Sequence, residues 1–564
     1  MRAAGALTHI YGEARGGNVA LTGEIDLAAS ASRSDDGGAP VAEFVLTLGF
    51  GLGPAAAAQQ TRMTMASTFE RIEASYVRGW RDFHRETTDK LVAPTHTLTP
   101  EVTRREAERE LASHADDNTI ARAINAQPFP ERRKRVSITL PDSVLDLYRM
   151  SAAILAVHED KRASGAHIAS LSIPWGHTKS DHELGGYHLV WPRDLVQSAG
   201  ALLAVGHTIH ARRTLRYLVS TQESDGHWSQ NTWLDGTVYW TGIQLDETAF
   251  PILLAELLYR AGELKDIEPW PCIRRAAVFL VQHGPVTGQD RWEENSGYSP
   301  HTMAVCIAAL LVAGDFAQRA GEPDFATSLR ATADLWNDAV DRFTYVSGTE
   351  LADRCAVDGY YVRIAPANVQ QSPIIPIRNR PDGFNAAPYD QIVSPDALGL
   401  VRYGLRHPDD PRILNTIRVI DSVLRARTAT GPAWYRYNED GYGEKADASP
   451  FDGSGLGRPW PLLAGERGHY ELAAGRPEVA LQLLGVMRAQ ASDGGMLPEQ
   501  IWDREDVPQN QLINGRASGG AMPLSWAHAE YAKLVRSLRD GRVFDMPNQA
   551  YERYVRHATS AAIR

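Results

Sequence analysis

Two short acidic segments stand far apart in the chain, each beside a tryptophan. The first is Arg291-Trp292-Glu293-Glu294, and the second, Leu497-Pro498-Glu499-Gln500, is followed by Trp502. Both lie in glycine-containing stretches that interrupt the helical periodicity, so they are predicted loops. Carboxyl groups move protons, and indole faces stack on sugar rings. The pairing predicts a site that cleaves glycosidic bonds with two carboxylates.

Glu293 and Glu294 are adjacent, and neighbouring carboxylates raise one another's pKa, which suits a proton donor. The simpler interpretation is a helix start, in which Ser299 caps the helix and Pro300 takes its first position. That interpretation accounts for the end of the segment but not for Trp292 beside two acids. We therefore predict a functional pair.

Glu499 is the second predicted carboxylate. A lone loop carboxylate is usually solvated surface. The matching loop setting beside Trp502 instead favours a site shared with Glu293.

The segment Tyr187-His188-Leu189-Val190-Trp191-Pro192-Arg193-Asp194 carries groups that suit a sugar ligand. Arg193 offers a planar fork of N–H donors, and Asp194 can accept from hydroxyls. An ion pair at a helix start is the simpler alternative. Trp191 adds a stacking face to the same loop, so we favour ligand binding.

Other loops supply further predicted ligand contacts. Trp240 is a better pocket candidate than Asp246, which lies at a predicted helix start where capping explains it equally well. Arg436 and Trp460 provide a second cation and another ring for ligand contact.

Twelve segments after residue 141 have the apolar spacing of helices. Pro251, Pro300, Pro395 and Pro461 are predicted in first turns. The segments lie near 142–159, 193–207, 209–222, 246–263, 270–284, 300–320, 323–343, 395–406, 411–426, 460–475, 476–492 and 522–540.

The connections between these helices alternate between short and long. Short links make antiparallel helical hairpins. Every long link leads into an even-numbered helix of the series, so six hairpins closed into a ring would bring all the long loops to one rim. The sequence thus predicts a mainly helical barrel with a single mouth.

Most of the thirteen tryptophans fall in these connecting loops. Tryptophans on helix faces would serve a core, whereas loop tryptophans at one rim favour a binding pocket. The loop tryptophans are Trp175, Trp191, Trp228, Trp233, Trp240, Trp292, Trp434, Trp460 and Trp502.

The chain before the helices divides into two regions. Residues 1–55 are predicted strands, at 19–27 and 41–50, that belong to a larger β domain with a truncated start. Residues 56–140 are a predicted helical linker with a second, charged helix near 101–114. Residues 141–564 form the third predicted region. The apolar face of the first linker helix consists of Phe69, Ile72, Tyr76, Trp80 and Phe83.

Composition excludes several classes of protein. The net charge of −11 provides no basic field for nucleic acid or an anionic membrane. Cys272, Cys306 and Cys355 are too few and scattered for a disulfide framework or a zinc site. We expect no cofactor, although a structural calcium ion is not excluded. No apolar run approaches the about 20 residues of a membrane helix, and no signal peptide opens the chain, so the compartment stays open.

One segment points to a different class. Gln222-Glu223-Ser224-Asp225-Gly226-His227-Trp228 fits the Q-x-x-D-G-x-W pattern of triterpene cyclases. The second copy, at Gln490, lacks the tryptophan, and no D-x-D-D acid motif is present. A glycosidase remains the better interpretation.

Several ordered motifs resemble glycoside hydrolase family 15, the glucoamylase and glucodextranase family, in its bacterial form. The resemblance covers residues 145–540. It rests on Gly165–Gly176, Gly186–Asp194, Gln230–Gly236, Arg291–Glu294, Trp434–Tyr437, Gly465–Tyr470 and Leu497–Gln500.

The resemblance implies a catalytic six-hairpin (α/α) barrel preceded by a β-sandwich, here at most a remnant, and a helical linker, here with an insertion at 115–140. It implies that Glu293 is the general acid and Glu499 the general base. Arg193 and Asp194 match residues that grip the terminal glucose. Trp240 and Arg436 match further pocket positions, and we add Trp191, Trp292, Glu294 and Trp460 as substrate contacts.

The expected reaction is inverting, exo-acting hydrolysis of α-glucans by a monomer. Within the family, a glucodextranase acting on α-1,6 links and an α,α-trehalase remain alternatives. A carbohydrate-binding protein with a degraded site is the alternative outside it, and the intact pair of glutamates disfavours that interpretation.

Overall fold

The computed structural model describes residues 31–32, 41–42, 44–92, 140–176 and 186–556. Internal contacts divide the chain into two compact units, Met1–Phe83 and His84–Arg564. The predicted strand at 19–27, the predicted helix at 101–114 and nearly all of the predicted insertion lie outside the described residues. The three predicted domain ranges remain predictions.

The first unit contains a two-residue β ladder and helices. β1 (Ala31–Ser32) pairs antiparallel with β2 (Val41–Ala42). The predicted strand at 41–50 is wrong beyond Ala42, because residues 44–50 are irregular and described pairing stops there. A strand needs a hydrogen-bonded neighbour to persist. α1 (Pro54–Met65) follows, and α2 (Phe69–Val92) confirms the predicted amphipathic helix.

The second unit confirms all twelve predicted helices. The eighth is short, because a 3₁₀ turn at Pro395–Leu398 leads into a single α-helical turn at Gly399–Arg402. The bounds are α3 Asp142–Val157, α4 Pro192–Ala204, α5 Thr208–Thr221, α6 Leu245–Arg260, α7 Trp270–His283, α8 Pro300–Arg319, α9 Pro323–Thr344, α10 Pro395–Arg402, α11 Pro411–Val423, α12 Pro461–Ala473, α13 Pro477–Gln490 and α14 Ser525–Asp540.

The even-numbered helices α4 to α14 form a closed inner ring. Each contacts the next in chain order, and α14 returns to α4. These helices are buried on nearly every side, whereas the odd-numbered helices α3 to α13 bury one face against the ring. Helices that are apolar all round are stable only inside such a shell. The predicted six-hairpin (α/α) barrel is therefore confirmed.

The long connections lead into the N-termini of the inner helices, as predicted. Three of them carry four small antiparallel hairpins in all, two of which lie in the connection before α10. These are β3 (Asn231–Thr232) with β4 (Val238–Trp240), β5 (Tyr345–Ser347) with β6 (Gly359–Tyr361), β7 (Ile374–Pro376) with β8 (Ala386–Pro388), and β9 (Arg425–Thr428) with β10 (Gly431–Trp434).

The helix starts follow the predicted signals with two exceptions. The Ser299 hydroxyl accepts from the Thr302 N–H at 3.4 Å and caps α8. Pro251 lies inside α6 rather than in its first turn, and Asp246 is not the cap of that helix, because α6 already begins at Leu245.

The prediction that no apolar run approaches the length of a membrane helix is wrong for α8. Among the described helices α8 alone is long and apolar enough to cross a membrane, with a mean hydropathy of 1.5 in its most apolar window. That window is 94% buried inside the barrel wall. Its apolar character therefore has a structural explanation in the inner ring.

Candidate active site

Glu293 lies in the connection before α8, on a tight turn. Its backbone φ is 67°, in the left-handed region that few non-glycine residues adopt. The Asp290 carbonyl accepts from its N–H at 2.8 Å, and Asp290 Oδ1 accepts from the N–H groups of Glu294 and Asn295. Arg363 holds the other oxygen of Asp290 at 2.8 Å. A buried ion pair thus fixes the turn that presents Glu293.

The Glu293 carboxyl is only partly neutralised. Gln230 Nε2 donates to its Oε2 at 2.7 Å, while Arg193 Nη2 is 3.6 Å from its Oε1. Burial raises the pKa of Glu293, and Arg193 and Gln230 oppose the shift without cancelling it. A carboxyl with a raised pKa keeps its proton closer to neutral pH, as a general acid must.

Glu499 lies in the connection between α13 and α14 and is almost fully buried. The Tyr187 hydroxyl donates to its Oε1, and the Ala521 N–H donates to Oε2 at 3.3 Å. A side chain at Gly520 would put its Cβ 2.8 Å from Oε2, so only glycine leaves the carboxylate in place. Donors at both oxygens suit a base that must be ionised.

Tyr187 and Tyr442 link the surroundings of the two acids. Their hydroxyls are 2.7 Å apart, and the Tyr187 ring centroid is 6.1 Å from that of Trp191. Burial raises the pKa of Tyr442 well above its ordinary value, and the charges of Glu499 and Glu293 raise it further. Both carboxylates therefore act on one hydroxyl, and the structure brings the two predicted acids to the same mouth.

Arg193 stands in the first turn of α4 within a group of acidic and amide side chains. Its Nη1 donates to Gln244 Oε1 at 2.5 Å and to Asp246 Oδ2 at 3.3 Å, with Glu247 Oε1 3.8 Å away. Burial raises the pKa of the adjacent Asp194 to about 6. Asp246, whose role was left open, thus helps to hold Arg193.

Glu294 and Arg436 form a second group. The Tyr437 hydroxyl lies 2.7 Å from both oxygens of Glu294, and Arg436 Nη2 lies 3.4 Å from one of them. Asp440 holds Arg436 through two hydrogen bonds, of 2.8 and 2.7 Å. Glu294 therefore fixes Arg436, and its predicted contact with substrate stays a prediction.

Aromatic rings surround this cation. The Arg436 guanidinium is 5.2 Å from the Trp292 ring and 5.4 Å from the Trp460 ring. Trp292 donates to Asp396 at 3.2 Å, and its ring lies nearly parallel to that of Trp526, at 6.0 Å. The predicted residues Trp292, Trp460 and Arg436 thus belong to one cluster.

Trp240 ends β4 and is the most open ring of the predicted set, at 42% exposure. Its ring centroid is 6.3 Å from that of buried Trp191. The two predicted residues are therefore neighbours, with one ring enclosed and the other accessible to a ligand.

The prediction that all loop tryptophans line the mouth is wrong for Trp228. Trp228 is part of the main hydrophobic core. Gln222, from the same segment, donates to the carbonyls of Gly226 and Cys272. The residues of the Q-x-x-D-G-x-W pattern therefore have a packing role here. A long loop also needs large side chains that anchor it to the core, and Trp228 is such a side chain.

Trp434 and Trp502 also serve loop packing. Trp434 donates to Asp421 of α11 at 3.0 Å. Trp502 donates to the Glu505 carbonyl at 2.7 Å and joins a small separate cluster. In both cases the indole N–H donates a hydrogen bond that ties the ring to a neighbouring segment.

Sequence reasoning did not select several residues that the structure brings to the mouth. Tyr187 and Gln230 lie at the beginning of two segments on which the family resemblance rests, so the sequence did contain a signal for them. Trp526 was missed because it lies on a helix, where the rule for loop tryptophans does not apply. Tyr442 follows the Arg436 segment and had no signal of its own.

Within the parts of the chain that the structure describes, no group of three or more His, Cys, Asp or Glu side chains is arranged to hold a metal ion.

The fold has counterparts among solved proteins. A bacterial glucoamylase in complex with acarbose matches with a TM-score of 0.72 and 36% identity, over 90% of this chain and 64% of the other. The glucoamylase of Saccharomycopsis fibuligera shares the fold, with a TM-score of 0.52 and 16% identity over 73% of this chain and 98% of the other.

These matches define a class of carbohydrate-processing (α/α) barrels, and a family model makes the assignment specific. The model of glycosyl hydrolases family 15 matches residues 143–536, and the chain belongs to that family. A second model, of the glucodextranase domain N, matches residues 1–85.

A curated relative agrees. The glucoamylase of Clostridium sp. (strain G0005) is 44% identical over 412 residues, which cover 72% of this chain and 55% of that protein. The chain thus spans about half the length of this relative.

Proposed function

We propose that this protein is an inverting, exo-acting α-glucoside hydrolase that releases glucose from the non-reducing ends of α-glucans. One observation carries the proposal. Glu293, which is partly exposed, and Glu499, which is almost fully buried, lie at the same mouth, and burial raises the pKa of Glu293. Two carboxyls in unlike environments are what acid and base roles require.

Glu293 acts as the general acid. Its proton passes to the glycosidic oxygen as the bond to the anomeric carbon breaks. Glu499 acts as the general base and removes a proton from a water that attacks the opposite face of the sugar. Inversion needs about 6.5–9.5 Å between the carboxyls, which leaves room for that water.

The surrounding residues bind the terminal sugar. Arg193, which Gln244 and Asp246 hold in place, donates to hydroxyl groups of the sugar. Asp194 accepts hydrogen bonds from sugar hydroxyls. Arg436 donates from the opposite aromatic cluster. Trp240, the open ring, stacks on the next sugar unit. A pocket that ends inside the ring would restrict release to single glucose units.

Replacing Glu499 with Gln tests the proposal. We expect kcat on a maltooligosaccharide to fall about 10³-fold, because general base catalysis is lost while the shape is kept. Binding of a non-hydrolysable sugar analogue should persist. Near-normal turnover would remove Glu499 as the base, and α-glucose as the first anomer seen by NMR would contradict inversion.

A second candidate is hydrolysis of α-1,6 links. The match of residues 1–85 to the glucodextranase domain N favours it. Glucose release from maltose, isomaltose, starch, dextran and trehalose would rank the substrates, and trehalose would also test the trehalase alternative.

We also propose that the protein needs no cofactor and acts as a monomer. Both carboxylates of the mechanism come from one chain, and the reaction needs only water. Unchanged activity in EDTA and a monomer mass by light scattering are the expected results.

A further inference from the structure

Gln230 occupies a special place beside Glu293. It lies just before β3 and is 95% buried. Its backbone N–H donates to the Gly242 carbonyl at 3.0 Å, which fixes Gln230 against the segment just before α6. From there its side-chain Nε2 reaches Glu293 Oε2 at 2.7 Å.

The packing sets the direction of the Gln230 amide. A Cβ on Gly242 would stand 2.3 Å from Gln230 Oε1 and 2.5 Å from Gln289 Oε1. The Gln230 amide oxygen therefore lies against the bare Gly242 backbone, and its NH₂ group points toward the acid. Gln289 belongs to the same group of amides, through a 3.4 Å bond from Gln244, and has no contact with Glu293 among the described bonds.

An amide NH₂ group can only donate. In a protonated carboxyl the carbonyl oxygen is the better acceptor, so a donor at Oε2 leaves the proton for Oε1. Oε1 is also the oxygen that has Arg193 at 3.6 Å, beyond hydrogen-bond distance. Among the hydrogen bonds of the described residues, Gln230 donates to a defined oxygen of Glu293, which makes Oε1 the oxygen left to carry the proton toward a ligand.

We propose that Gln230 is a positioning residue, which holds the general acid by Oε2 and thereby keeps the transferable proton on Oε1. The inference rests on the proposed role of Glu293. It adds a residue outside the predicted set and a defined oxygen for the transfer.

The same bond has a consequence for pH dependence. A donor to a carboxylate is stronger than a donor to a neutral carboxyl, so Gln230 lowers the pKa of Glu293, against the effect of burial. Charged and titratable groups on several elements share this environment. They are Arg193 and Asp194 of α4, Asp246 and Glu247 of α6, Glu294 beside the acid, and Arg436 and Tyr442 from the connection before α12.

The test is Gln230→Leu, with Gln289→Leu as the matched control. Without the donor, the proton divides between the two oxygens, and we expect kcat to fall about 10- to 100-fold. The alkaline limb of the kcat profile should move up by about one pH unit, because the ionised acid loses a charge-assisted bond. Gln289→Leu should leave that limb in place.

A merely structural role for Gln230 would lower activity without moving the limb. A limb that stays in place in Gln230→Leu, or moves down, would overturn the inference. Gln230→Met fills similar volume and repeats the measurement if the leucine variant folds poorly, as judged by thermal melting.

The two proposals fail in different ways. If Glu499→Gln or Glu293→Gln keeps normal turnover, the proposed function itself is wrong. If both are inactive and Gln230→Leu behaves like Gln289→Leu, only the role of Gln230 is wrong.

Discussion

Two glutamates of the barrel, the partly exposed Glu293 and the fully buried Glu530, differ in how they are neutralised. Glu293 at the mouth has one arginine at 3.6 Å and one amide donor. Glu530, farther along α14, receives Arg402 at 2.6 and 3.1 Å, with His469 at 2.7 Å and Lys533 at 3.7 Å. Burial disfavours the charged form of both carboxyls, and Glu530 has more cations beside it to oppose that effect.

The pKa values follow this difference. Burial raises the pKa of Glu293, whereas at Glu530 the charges of Arg402, His469 and Lys533 outweigh burial and hold the pKa well below its ordinary value. We call the charged group around Glu530 the barrel floor. It consists of Arg402, His469, Glu530, Lys533 and Asp545. The mouth keeps an incompletely paired acid for chemistry, and the floor uses a paired one to join helices.

Glu293→Gln gives the largest expected effect. The amide keeps the shape but cannot donate an acidic proton, so kcat should fall about 10³-fold on substrates with poor leaving groups. Substrates with an activated aryl leaving group need less protonation and should lose less. Stopped assays on both substrate types would measure the split, and equal losses on both would contradict an acid role.

Glu530→Gln tests the barrel floor and should lower stability rather than activity. It leaves Arg402 and Lys533 buried and underpaired, which costs about 3–5 kcal/mol of folding free energy. Urea unfolding would measure the loss, with Glu293→Gln as the control that is not destabilised. Residual activity per folded molecule should stay close to the parent, and a specific loss of turnover would show that the floor serves chemistry as well.

The pH dependence of stability should have opposite signs at the two sites. Glu530 has a depressed pKa, so its contribution is present above the ordinary value of 4.5 and is lost as the pH falls below it. Glu293 has a raised pKa, so it costs stability increasingly as the pH rises above 4.5.

Thermal melting from pH 3 to pH 8 would check these signs. The destabilisation by Glu530→Gln should shrink toward pH 3. Any stabilisation by Glu293→Gln should grow toward pH 8. Parallel curves for the two variants would contradict the contrast between mouth and floor.

The sequence predicted the mouth better than the floor. All twelve barrel helices were predictable because apolar spacing and proline starts are local signals. Glu293 and Glu499 stand in loops and Arg193 at a helix start, each close to aromatic residues in the sequence, where a structural role explains them poorly. The contacts that join them depend on the barrel closing, which no local pattern contains.

The floor had no signal of this kind. Glu530 and Lys533 read as ordinary polar positions of a helix, and Asp545 lies in the segment after it. Arg402 pairs with Glu530 and Asp545 across a long stretch of chain, so these ion pairs exist only in the closed ring, and Lys533 also binds Asp545. Trp228 shows the converse error, since a loop position suggested the mouth and three-dimensional packing placed it in the core.

The smallest expected effect concerns the open edge of the mouth. Trp240→Ala removes the exposed ring that ends β4 without touching either carboxylate. Stacking of this kind contributes about 1 kcal/mol, so KM for a maltooligosaccharide should rise about five-fold while kcat changes little. Leu335→Ala, at an exposed position on outer helix α9, is the control for general loss of surface. Initial rates over a range of substrate concentrations would separate KM from kcat. A fall in kcat with unchanged KM would contradict a stacking role. It would mean that Trp240, although 42% exposed, affects the position of the two carboxyl groups and therefore the chemical step.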